Sequence, residues 1–192
     1  MPRNEQVLSG DQIHEAAENL LAETAEFIEF MVEFGRPNVK VPQFFVIAFN
    51  YLRRQAAQLG IREPLLESLP AAVEMILVAE AGTPLAGTLP FADADGMLVE
   101  PSSDGTVLSD AVGLMADVVE YCRNCARMSG RLPLLPFGYI LSLLSLQETY
   151  LVDRNSHDYR IVDSIPDTLQ GYLARTLGNL VPPGYVRGAV PP

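Results

Sequence analysis

TVLSDAVGLMADVVEYCRNCARMS, residues 106–129, is the stretch on which the fold turns. At about 100° per residue, Leu108, Ala111, Met115, Val118 and Val119 fall on one arc, a segregation that only a helix produces. Cys122 falls in the middle of that arc, and Cys125 lies beside Val107 and Val118 toward its edge. Both thiols therefore point toward apolar neighbours, where cysteine behaves as a small hydrophobe. The stretch reads as the central core helix of a helical protein.

The chain upstream has the same character. Ser9-Gly10-Asp11-Gln12 has the form of a capping box, with Ser as N-cap and Gln three residues on. From there to Phe34, Ile13, Ala17, Leu20, Thr24, Phe27, Ile28 and Met31 share one helical face. Glu15, Glu18, Glu26, Glu29 and Glu33 share the opposite one, and Gly35 supplies the stop. Pro42 suits the first turn of a second helix ending at Gly60, whose run from Phe44 to Phe49 is apolar all round and so calls for burial on most sides. Glu63 to Leu69 reads as a short helical turn. Ser68 and Pro70 then open a third helix closed by Gly82. Residues 82–105 carry Pro84, Pro90, Pro101 and an Asp93-Ala-Asp95-Gly96 turn, and form a long irregular loop with room for a short strand at 97–100.

Downstream of the central helix, Pro136 opens the apolar helix FGYILSLLSLQETYL. Leu151-Val152 and Tyr159 to Val162 flank a polar turn and read as a small β-hairpin over 151–162. Ser164 reads as the cap of a last helix from Pro166 to Leu180. The Pro-rich tail 181–192, VPPGYVRGAVPP, reads as extended. The fold class is mainly α: a single-domain bundle of five to six helices over residues 1–180. The acidic helix at 10–34 is a candidate arm.

Composition narrows the function. An apolar fraction of 48% with a mean hydropathy of +0.16 is high for a lone soluble chain and favours buried interfaces. The formal charge is −11, of which residues 1–35 hold −7, eight acids against Arg3 alone. Nucleic-acid binding needs cations along the phosphates, and no basic run exceeds Arg53-Arg54. Residues 1–20 lack a basic segment followed by an apolar one, so an intracellular, cytoplasmic place is expected. The longest uncharged run, 132–147, is short of the roughly 20 apolar residues of a spanning helix.

The chemistry-bearing candidates begin with Cys122-Arg-Asn-Cys125. A reactive C-x-x-C needs a depressed thiol pKa, from a helix N-terminus or adjacent cations. This pair sits in the last third of its helix, near the negative end. Zinc asks for four ligands, and the only histidines, His14 and His157, lie in remote segments. The pair resembles that of the alkylhydroperoxidase D-like and carboxymuconolactone decarboxylase-like proteins, which are helical and of similar size. That resemblance implies a thiol-dependent redox enzyme using Cys122 and Cys125, with Asp110 at the position of an upstream acid. Where the family has its proton-transfer histidine, this chain has Ser129.

Other motifs fail on register. With Gly96 at the sixth place of a calcium loop, Phe91 and Ser102 would fall where acids are required. The glutamates of the first helix oppose its apolar stripe, unlike the inward carboxylates of di-metal bundles. Ser145, His157 and Asp158 lack the G-x-S-x-G elbow of a hydrolase triad, and GTPLAGT lacks the lysine of a phosphate loop. No metal or cofactor is expected. The favoured expectation is a non-catalytic assembly protein that works through protein interfaces, as a homo-oligomer or as a subunit of a larger complex such as a shell or virion. Its candidate contact residues are Glu15, Glu18, Glu26, Glu29, Glu33, Tyr185 and Arg187.

Overall fold

A computed structural model describes residues 8–35, 39–81, 91–92, 98–99, 106–150 and 153–189. The protein is mainly helical. In chain order it runs α1 (Gly10–Glu33), α2 (Gln43–Leu59), α3 (Pro64–Ala81), α4 (Val107–Ser129), α5 (Phe137–Tyr150), α6 (His157–Leu177) and the short α7 (Tyr185–Ala189), with a 3-10 turn at Gly178–Leu180 after α6. Of the long loop expected over 82–105, only 91–92 and 98–99 lie within the described residues. They pair as a two-stranded antiparallel ladder, β1 (Phe91–Ala92) with β2 (Leu98–Val99).

The α1 terminus forms as its sequence dictates. The Ser9 side chain accepts from the Gln12 N–H, and the Gln12 side chain accepts from the Ser9 N–H at 2.8 Å. Every residue of its expected apolar face is buried. Along its length α1 packs on α3, α2 and α5. The most enclosed helix is α2 rather than α4: residues 43–49 are buried without interruption, and α2 touches α1, α3, α4 and α5. A helix apolar on all sides must be wrapped by others, so α2 is the axis of the bundle. The buried arc of α4 is Ala111, Leu114, Val118, Tyr121 and Cys122, whereas Leu108 lies exposed. One apolar cluster runs from Ile13 to Val186.

Three readings are corrected. Residues 159–162, expected as the second strand of a hairpin over 151–162, belong to α6 (residues 151–152 lie outside the described residues). Ser156 is the N-cap, its hydroxyl accepting from the Tyr159 N–H at 3.0 Å, and Asp158 complements the dipole in the first turn. The same mistake recurs at two Ser-x-Pro triplets. Ser68-Leu69-Pro70 and Ser164-Ile165-Pro166 read as helix starts, yet α3 and α6 run straight through them. In each, the serine hydroxyl turns back to the carbonyl three residues earlier, Leu65 at 2.9 Å and Ile161 at 2.8 Å. The apolar faces Leu66–Leu69–Val73 and Val162–Ile165–Leu169 are continuous across each proline and buried, which offsets the lost backbone hydrogen bond. Finally, the tail at 181–192 is not extended throughout: Gly184 takes a φ of 76°, and Tyr185–Ala189 form α7 against α6. Residues 190–192 lie outside the described part.

Candidate functional site

Cys122 sits on the inner face of α4 and is completely buried. The Tyr185 hydroxyl lies 3.9 Å from its sulfur and donates to the Pro133 carbonyl. Burial pushes the Cys122 thiol up to about 12, against a smaller opposing effect of the Tyr185 hydrogen bond. Cys125, half-buried, is also raised, first by burial and then by the Glu26 carboxylate, with the Tyr121 hydroxyl opposing. Tyr121 itself donates to Glu26 at 3.2 Å. The surroundings of this pair thus hold both sulfurs as thiols, the reverse of what a thiolate nucleophile needs. Ser129, at the place of the family histidine, donates to the Cys125 carbonyl at 2.9 Å, so its hydroxyl serves the helix end. Asp110 takes a hydrogen bond from the Gln43 amide at 3.0 Å, about 18 Å along α4 from Cys122.

The segment that covers Cys122 is held by α6. Gln170 grips it at both ends, donating to the Pro182 carbonyl at 3.0 Å and accepting from the Val186 N–H at 2.9 Å. Arg187 pairs with Asp167 through two contacts of 2.7 and 2.6 Å. Of the candidate contact residues here, Tyr185 is half-buried beside Cys122, and Arg187 is exposed and paired with the exposed Asp167. Of the α1 glutamates, Glu15, Glu18, Glu29 and Glu33 are exposed, and Glu26 turns inward to Tyr121. The structure does not bring these carboxylates together with Tyr185 or Arg187.

Two carboxylates that the sequence reading passed over organise the interior. Neither α2 nor α5 carries a Ser, Thr, Asp or Asn before its first turn; each follows a proline. Each has its end satisfied from another helix. Glu23 of α1 accepts from the Phe137 and Gly138 N–H groups of α5, the latter at 2.8 Å. Asp117 of α4 accepts from the Gln43 N–H of α2. Burial raises the Glu23 pKa, partly countered by those N–H groups. At α3, Glu63 accepts from the Leu66 N–H at 2.7 Å and is held by His14 of α1, also at 2.7 Å. The detectable signal was a proline-initiated helix with no cap of its own, because the orphan N–H groups must find an acceptor somewhere.

A second surface lies where the C-terminal halves of α4 and α6 meet. Arg123, Ala126 and Arg127 of α4 face Thr176, Leu177 and Leu180 across an open groove of about 370 Å3. Arg123 touches Glu120 at 3.5 Å, and Arg127 lies over the Phe34 ring, 5.6 Å from its centroid. Residues 120–131 carry Arg123, Arg127 and Arg131 against Glu120, and residues 168–186 carry Arg175 and no acid. In a chain of net charge −11, the groove lining carries two arginines and no acid.

Among the described residues no group of three or more His, Cys, Asp or Glu could hold a metal ion, and no helix is long and apolar enough to cross a membrane. The arrangement defines a helical protein whose thiols are sheltered and whose distinctive surfaces are a basic groove and an acidic helix. The chain belongs to the DUF8802 family, a domain of unknown function, whose model matches residues 5–190. No curated protein and no solved structure matches it.

Proposed function

We propose that the chain is a non-catalytic assembly subunit that acts through protein–protein interfaces, as a homo-oligomer or within a larger intracellular complex, a shell or virion among them. The observation that carries this reading is the outer face of α3. Its inner residues Leu66, Leu69, Val73 and Leu77 are buried, and among the described elements it packs on α1 and, more lightly, on α2. Opposite them, Ser68, Ala71, Met75, Val78 and Ala79 form an exposed line with no charge, Met75 being 71% accessible. A helix apolar on two opposite sides has one side too many for the fold that holds it. The packing of α1 into the shared core favours a single domain over 1–180 in which α1 is part of the bundle, not a free arm.

Light scattering tests it. The parent protein should run above its monomer mass of 21.0 kDa, and Met75→Glu with Val78→Glu should lower that mass while the helical circular dichroism is unchanged. A parent that stays monomeric at every concentration would overturn the proposal. Against the thiol-dependent alternative stand the two raised thiol pKa values and the serine at position 129.

A further inference from the structure

We infer that the groove between α4 and α6 receives the N-terminal half of α1 from a second copy of the chain, with Glu15 and Glu18 set against Arg123 and Arg127. The inference rests on the assembly reading, but not on α3. The charge is complementary: Arg123 and Arg127 line the groove and no acid does, while Glu15 and Glu18 stand exposed on α1. The spacing agrees as well. Glu15 and Glu18 are three residues apart on one exposed helical side, and Arg123 and Arg127 are four apart on another, so each pair repeats at about one turn, 5–6 Å. Next along α1 comes the exposed Ala22, which meets the apolar part of the groove, Ala126, Leu177 and Leu180. Leu180 is 46% accessible and gains cover there.

The contact has to come from another molecule. Arg127 rests on Phe34, at the C-terminal end of its own α1. Glu15 and Glu18 of the same chain are then about 24–29 Å away at 1.5 Å per residue. That is several times the Debye length of about 8 Å at physiological salt. The His14–Glu18 contact, 3.5 Å and exposed on both sides, is readily exchanged. Groove and α1 are different surfaces, so the contact is heterologous: it repeats head to tail and yields a ring or an open chain.

A charge exchange between full-length proteins tests this, made on the Met75→Glu, Val78→Glu background so that α3 cannot contribute. One variant adds Arg123→Glu and Arg127→Glu; the other adds Glu15→Arg and Glu18→Arg. The background protein should self-associate, about tenfold or more weakly in high salt than in low. Each charge variant alone should be monomeric by light scattering, and their mixture should assemble at equal stoichiometry into alternating rings or chains. A mixture that stays monomeric, or single variants that associate as the background does, overturns the inference. Neither result bears on α3, which the parent and background masses judge separately. Arg123→Gln with Arg127→Gln, which adds no new charge, should weaken association without preventing folding, and unchanged association of that folded variant also overturns it.

Discussion

Asn124 is wholly buried on α4, and among the described residues neither its amide nitrogen nor its oxygen has a partner. An orphaned buried amide costs about 1–3 kcal/mol. Asn124→Leu, which keeps the branching at Cγ and removes both polar atoms, is therefore expected to raise the urea unfolding free energy, by about that much less the strain of the larger side chain. An unchanged or lower midpoint would mean that the amide is satisfied. Glu23 makes a pH-dependent prediction. Burial lifts its folded pKa above the ordinary 4.5. Its contribution to stability is thus fully present below the ordinary value and is lost as pH rises through the folded one. In Glu23→Gln that loss disappears, so urea midpoints followed from about pH 4 to 7 should fall less with rising pH than the parent's. At this scale the inward aim of Cys122 was legible, because it follows from periodicity alone. Glu23 and Asp117 were not, since each acts on a helix end 115 and 74 positions away, a pairing that no local pattern encodes.

Among the elements, α5 shows how closely two helices can be drawn together. A Cβ at Gly138 would lie 2.6 Å from Phe44 Cδ2 and 3.1 Å from Leu20 Cδ1, both in fully buried side chains. Overpacking of this kind costs about 1–3 kcal/mol. Gly138→Ala should therefore lower the thermal midpoint, although alanine is the better helix former. A midpoint at or above the parent's would show that Phe44 can yield. The periodic helices α1, α2 and α4, and α5 as an apolar run opened by a proline, were readable to within a few residues. Starts placed at Ser-x-Pro were not, because that triplet looks alike at a first turn and inside a helix; the difference lies in where the hydroxyl bonds. The short α7 was hidden for a related reason. Its support comes from Gln170 and Asp167 on another helix, not from its own composition.

At the scale of the whole molecule, the two proposed contacts respond oppositely to salt. The charged groove should weaken as ions screen it, while the apolar line on α3 should hold or tighten. A salt series of the parent's mass therefore separates the two without any substitution. Composition and charge asymmetry were plain in the sequence. Their arrangement into an acidic helix at one place and a basic groove at another required the packing of α4 on α6.

The carboxylates that start α2 and α5 also bear on how the chain divides. Suppose it were split within residues 82–105, giving one piece with α1 to α3 and another with α4 to α7. The first piece keeps Glu23 but leaves α2 without Asp117; the second keeps Asp117 but leaves α5 without Glu23. Each half would carry the acceptor that the other lacks. The two pieces are reciprocal complements, built to find each other.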